Sequence, residues 1–288
     1  NNMTKNKSLT IVLICYTIAL IISLVFINSY NNSNSIITLL YADIIATIAI
    51  YGASYIFKNS SIYDPYWSLI PPILLLFWFT KLDTINITNT ILLSLSVLFW
   101  SFRLTYNWIR SWDGLNQEDW RYIDLRNKSK SNYQIVNFLG IHLFPTLIVF
   151  ACCIPFKYIL ENEKTDLSII IGFIICFIGV MYEIIADQQL YNFKKKNPGK
   201  IIKTGLWKYS RHPNYYGEIL FWWGLFIYSY NILYLIIWPV CMTLMFIFIS
   251  IPWIEKKILK TRPEYKEYQK EVNILFTEIT IIRKLFRN

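Results

Sequence analysis

Long apolar runs alternate with short polar breaks along the chain. Eight runs stand out, at 9–28, 36–57, 66–80, 88–109, 134–158, 167–190, 214–230 and 232–254. About 20 apolar residues in helical form cross the hydrocarbon of a bilayer. The pattern therefore predicts an all-α, polytopic transmembrane helical bundle of seven to eight spans. The third and seventh runs are short, and Pro71 and Pro72 interrupt the third. The last two runs read either as two crossings or as a hairpin turning at Ser229–Asn231. The first run, Leu9 to Phe26, lacks a small-residue cleavage site and is long enough to remain a span. Beyond Pro263, apolar residues recur every three or four positions at Tyr265, Tyr268, Val272, Leu275, Ile279, Ile282 and Phe286. That spacing predicts a C-terminal amphipathic interfacial helix lying on the membrane surface.

Composition supports this reading. The 288 residues are 55% hydrophobic and only 16% charged, and the mean hydropathy is +0.38. A soluble domain of this length carries more charge. All five cysteines lie inside apolar runs and there are two histidines, which gives neither a disulfide framework nor a metal site.

The charge is basic, +10 overall, and unevenly placed. With the N-terminus in the cytoplasm, the cytoplasmic segments are 1–8, 58–65, 110–133, 191–213 and 255–288. They hold two, one, five, seven and nine basic residues, which is 24 of the 28 Lys and Arg. Lys and Arg favour cytoplasmic loops, so both termini are expected there. The expected setting is the endoplasmic reticulum membrane in a eukaryote and the inner membrane in a bacterium. This asymmetry explains the net charge without nucleic acid. A basic face suits anionic lipid, an anionic cofactor, or both.

Ionisable groups sunk in apolar sequence are costly and mark function. Asp43 lies in the second run. At the end of the sixth, Glu183, Asp187 and Tyr191 are spaced by four, which puts them on one helical face. Lys194–Lys196 follow; they also suit the negative end of a helix dipole. The carboxylates fit hydrogen-bonding to sugar hydroxyls or an amide, with Lys196 nearby for a phosphate.

The stretch "GLWKYSRHPNYYGE" at 205–218 concentrates charge and rings between two apolar runs. Lys208 and Arg211 offer phosphate-binding charge, Arg in a bidentate fork. Pro213 fits a first helical turn, whose free N–H groups favour an anion. Asn214 and Glu218, four apart, point back toward it. Three tyrosines and Trp207 offer flat faces for a nucleobase. The plainer reading is an aromatic, basic membrane-interface belt.

These segments resemble the DUF1295 branch of the steroid 5α-reductase superfamily. The resemblance rests on "DPYWS" (64–68), "RLTYNW" (103–108), "EDWRY" (118–122), "ADQQLYNFK" (186–194), the 205–218 stretch, "SIPWIEKK" (250–257) and "RPEYKEY" (262–268). It divides the chain into a two-span extension, 1–60, and a steroid 5α-reductase-like membrane domain, 61–288. "RHPNY" alone is equally similar to isoprenylcysteine and phospholipid methyltransferases, which use S-adenosylmethionine.

The resemblance implies an enzyme that uses NADPH to reduce a carbon–carbon double bond conjugated to a carbonyl, in a lipid-soluble substrate, without metal. It places Arg121, Tyr122, Asp187, Lys196, Arg211, His212, Asn214 and Glu218 at the NADPH site. In steroid reductases a Glu and a Tyr polarise the carbonyl. Asp64 matches the Glu and Trp100 the Tyr. Trp cannot supply an acidic proton, so Tyr106, two turns nearer the cytoplasm, becomes the candidate beside Asp64. Two alternatives stay open. One is an S-adenosylmethionine-dependent methyltransferase acting on a membrane lipid or lipidated group, which "RHPNYYGE" and Glu255 also fit. The other is a non-enzymatic lipid-binding or structural membrane protein.

Overall fold

The computed structural model describes residues 3–30, 32, 34–229 and 232–275. They form helices without a single strand. The chain divides into two compact units, 1–163 and 164–288.

The first unit begins with α1 (Lys5–Ser29) and α2 (Ser35–Ile56), capped by the side chains of Thr4 and Asn34. A 3-10 turn, Ser60–Tyr63, leads to α3 (Tyr66–Lys81) and then α4 (Ile87–Ser111). A long irregular rod follows. It comprises α5 (Trp120–Ser129), α6 (Tyr133–Val136), a π-helical stretch (Asn137–Leu143), α7 (Phe144–Cys153) and α8 (Pro155–Glu161). Pro155 has no N–H to continue the ladder and marks the last break.

This unit is built for lipid. Leu13, Ile14, Ile21 and Val25 of α1 face outward, while Ser23 is buried and donates to the Ala42 carbonyl at 2.9 Å. Polar contacts between helices recur. Ser68 meets Thr105 at 2.8 Å, Ser101 donates to the Ser68 carbonyl at 2.6 Å, and Asn89 donates to the Asn162 carbonyl at 3.0 Å. Without water as competitor, such bonds and close packing join helices that share no hydrophobic drive.

The second unit holds α9 (Leu167–Lys196), α10 (Pro213–Tyr228), α11 (Ile237–Met245), a π-helical stretch (Phe246–Ser250), α12 (Ile251–Thr261) and α13 (Tyr265–Glu271). Glycines let α9 and α10 touch. A Cβ on Gly224 would stand 2.8 Å from the Cys176 nitrogen, and one on Gly179 would stand 2.6 Å from the Gly217 carbonyl.

Among the described residues, six segments are long and apolar enough to cross a membrane: Lys5–Ser29, Ser35–Ile56, Ile87–Ser111, Trp120–Glu161, Leu167–Lys196 and Leu233–Thr261. They make the protein an integral membrane helical bundle. α3 and α10, the two short runs of the pattern, have 16 residues each. At 1.5 Å per residue that is about 24 Å, short of a ~30 Å core. Of the expected turn at Ser229–Asn231, Tyr230 and Asn231 lie outside the described residues.

The C-terminal helix differs from expectation. α13 spans only seven residues, and Tyr265, Tyr268 and Val272 pack on Ile201, Ile258 and Leu259. Their apolar face is thus satisfied inside the protein and not by lipid. Ile279, Ile282 and Phe286 lie outside the described residues.

Candidate functional site

In the first unit, the turn between α2 and α3 carries the candidate acid. Asn59 caps this turn by accepting the Ser61 N–H at 2.9 Å. Its amide donates to the carbonyls of Leu115 and Gln117, both at 3.0 Å. The Ser60 N–H reaches Glu118 Oε1 at 2.8 Å, and Ser61 Oγ accepts the Asp119 N–H at 2.8 Å. The "EDWRY" segment is thereby laid along the turn. Asp119 then caps α5 and fixes the Arg121 guanidinium at 2.8 Å.

This arrangement delivers the Tyr122 hydroxyl to Asp64 Oδ1, to which it donates a hydrogen bond. Arg121 Nη2 stands 3.9 Å from the same oxygen. Burial pushes the Asp64 carboxyl up to about 7, against the lowering pull of Arg121 and the Tyr122 hydroxyl. Near neutral pH the acid therefore exists in both forms. A protonated Asp64 can pass its proton to the phenol oxygen of Tyr122 as that hydroxyl gives its own proton away.

Tyr106 does not join Asp64. Its neighbour Thr105 takes the inward contact, to Ser68, while Tyr106 is 55% exposed on the outer face, stacked on Phe102 and under Arg110. The phenol beside Asp64 is that of Tyr122, which the motif had assigned to cofactor. Nothing in the linear sequence links positions 58 residues apart. Trp100 is wholly buried.

A second polar cluster lies deeper in the same unit. Tyr66 donates to Asp43 Oδ1 at 2.6 Å, Thr47 meets Thr146 at 3.0 Å, and Tyr63 meets Thr146 at 2.8 Å. Tyr63 and Tyr66 stack at 5.1 Å. Asp43 thus faces the bundle interior. His142 is held by the Asn137 carbonyl and by Ser54, each at 3.0 Å. If Nδ1 carries the proton for that carbonyl, Nε2 accepts the Ser54 hydroxyl.

In the second unit, α9 brings Asp187 to Asn214 of α10, with the Asn214 amide donating to Asp187 Oδ1 at 3.2 Å. The buried Asn214 Oδ1 has no hydrogen-bond partner among the described residues. Lys194, Lys195, Lys196, Lys200, Lys203 and Lys208 are all exposed along the following segment. Gly205 has φ +62°, and a Cβ there would collide with the Gln189 side chain, whose Oε1 accepts the Leu206 N–H at 2.9 Å. Asp187, Lys196 and Asn214 thus share one end of the α9–α10 pair. A nucleotide's hydroxyls, amide and phosphates fit this donor and acceptor set.

Arg211, His212 and Glu218 are placed otherwise. Arg211 Nε lies 2.8 Å from Glu255 Oε1, and Nη1 donates to the carbonyls of Gln269 at 3.0 Å and Val272 at 2.7 Å. His212 Nε2 is 2.9 Å from the same carboxylate. Burial lowers the His212 imidazole's pKa, although Glu255 pulls the other way. The backbone N–H groups of Arg211 and His212 go to the carbonyls of Asn273 and Ile274, at 2.9 and 3.1 Å. The tail thus occupies the donors that an incoming phosphate was expected to take. α10 does begin at Pro213 as the spacing predicts. Glu218 is buried and accepts the Trp222 indole N–H at 3.0 Å, one turn further along the helix.

Among the described residues no group of three His, Cys, Asp or Glu side chains could hold a metal ion. No solved structure matches the chain. An uncharacterized protein of Schizosaccharomyces pombe is 28% identical, over 71% of this chain and 67% of that protein. The model of the DUF1295 family, described as proteins of unknown function, matches residues 50–272. That match takes in the Asp64 turn, both ends of the α9–α10 pair and the Glu255 cluster, and the chain belongs to the DUF1295 family.

Proposed function

We propose that the protein is a membrane-embedded, NADPH-dependent reductase of a lipid-soluble enone. The observation that carries this reading is the Tyr122 hydroxyl on Asp64, with Arg121 alongside and the acid poised near neutrality. Reducing an enone needs a hydride at the β-carbon and a proton for the carbonyl oxygen. NADPH supplies the hydride when bound. Tyr122 donates its proton to the substrate oxygen and is refilled from protonated Asp64, which recovers a proton from water. The enol so formed tautomerises to the saturated carbonyl compound. An acid with a pKa near the working pH is efficient at this task.

Asp187, Lys196 and Asn214 bind the nucleotide in this reading, and the exposed lysines draw its phosphates by long-range attraction. The methyltransferase alternative loses ground. It needs Arg211 and Glu255 for the methyl donor, and these two are engaged with each other and with the tail. The orientation follows the basic residues, with both termini in the cytoplasm, where NADPH is available.

The test is NADPH oxidation by purified protein with a set of lipid-soluble enones. Wild type should turn over at least one. Asp64→Asn and Tyr122→Phe should each lower kcat by a factor of about 100 or more, while NADPH affinity stays unchanged. Turnover at the wild-type rate in both variants would remove the pair from the chemistry.

A further inference from the structure

We infer that Glu255 is the positioning residue of the second unit, setting Asn214 against Asp187 through the segment that precedes α10. The carboxylate is buried and accepts from four side chains. Oε1 takes Arg211 Nε at 2.8 Å, His212 Nε2 at 2.9 Å and the Tyr265 hydroxyl at 3.1 Å. Oε2 takes the Gln269 amide at 2.8 Å and Arg211 Nη2 at 3.4 Å. These donors belong to two segments, the loop 210–212 and helix α13, while Glu255 itself sits on α12. One charge therefore joins three stretches of chain, beside the apolar packing of Tyr265, Tyr268 and Val272 on Ile258 and Leu259.

The tail strengthens the joint. Ser210 pairs with Asn273 as an isolated parallel bridge, and Ser210 Oγ donates to the Ile274 carbonyl at 2.9 Å. The Tyr268 hydroxyl donates to the Trp207 carbonyl. The His212 ring lies nearly parallel to Tyr215, with centroids 5.5 Å apart. The restrained segment then runs directly into Pro213 and Asn214. Pro213 has a fixed φ, so a fixed His212 leaves the first turn of α10 little freedom. The Asn214 amide is thereby held 3.2 Å from Asp187. Removing the Glu255 charge frees Arg211 and His212 to reorient, and Asn214 moves with them.

The geometric claim stands on contacts alone. Its effect on cofactor rests on the proposed role of Asp187 and Asn214. Glu255→Gln in the purified full chain tests both. Backbone amide exchange at 211–217 should quicken about tenfold, with exchange in the first half of α9 unchanged. The Kd for NADPH should rise about tenfold. In an Asp187→Ala background the same substitution should change Kd by under about twofold, because both act through one contact. Tyr265→Phe removes a single donor and should quicken the same amides by about threefold, which keeps the test open if Glu255→Gln fails to fold. Unchanged exchange at 211–217 in both variants overturns the inference. So does a full tenfold further loss of affinity in the Asp187→Ala background. Faster exchange in a protein whose wild type binds no NADPH supports the positioning role and refutes the cofactor assignment.

Discussion

Arg211 and Glu255 form a buried ion pair, Nε to Oε1 at 2.8 Å, with both side chains at most 10% exposed. Breaking such a pair leaves an uncompensated charge in the interior. Arg211→Ala should therefore destabilise the protein by about 3–5 kcal/mol. Arg211→Lys should recover only part, since a point charge cannot serve Glu255 and two carbonyls together. Thermal unfolding in detergent checks this. Unchanged stability with selective loss of nucleotide affinity would return Arg211 to the role of ligand.

Asp64 predicts a pH dependence of known sign. Its folded pKa, about 7, lies above the ordinary value of 3.8. A raised pKa means the native state favours the protonated form. Its stabilising contribution is complete below about pH 4 and is lost as pH rises through about 7. Wild type should lose stability across that window relative to Asp64→Asn, which cannot ionise. Reductase activity should fall above about pH 7 for the same reason. Parallel stability curves for the two proteins would contradict the shift.

The α9–α10 contact is set by backbone approach. A Cβ on Gly224 would stand 2.6 Å from Cys176 Sγ and 2.8 Å from the Cys176 nitrogen. Backbone cannot yield as a flexible side chain does, so Gly224→Ala should cost about 1–3 kcal/mol. Gly52→Ala meets nothing within 4 Å and should be nearly neutral. Comparing the two by thermal unfolding separates a packing requirement from a general dislike of alanine.

Tyr66 holds Asp43 at 2.6 Å, deep within the first unit. Tyr66→Phe removes that donor and should cost about 1–3 kcal/mol. Asp43→Asn should cost less, since Asp43 Oδ2 is buried with no hydrogen-bond partner among the described residues and an amide carries no charge to desolvate. A greater loss in Asp43→Asn than in Tyr66→Phe would show that the charge itself is required.

Hydrophobic periodicity made the helices legible, because burial in lipid demands long apolar runs whatever the tertiary fold. Pro213 marked the start of α10 because a missing N–H is harmless only there. Contacts between distant segments were not legible. Asp64 and Tyr122 meet because Asn59 and Ser61 hold the 115–119 backbone and the Ser60 N–H holds the Glu118 carboxylate, and no spacing rule encodes that. The same reason hid the partners of Glu255, which come from positions 211, 212, 265 and 269. An exposed basic motif and a buried ion pair use the same letters, and only the position of the tail distinguishes them. The periodicity of Tyr265, Tyr268 and Val272 marks one face, which packs on Ile201, Ile258 and Leu259, but periodicity does not say whether lipid or protein covers it.

The proposed function rests on NADPH binding by the second unit at Asp187 and Asn214. A titration of purified protein with NADPH, run beside one with S-adenosylmethionine, tests it most directly. Saturable NADPH binding is predicted, weakened about tenfold by Asp187→Ala and by rising salt, since exposed lysines supply part of the attraction. Binding of S-adenosylmethionine with none of NADPH would contradict it.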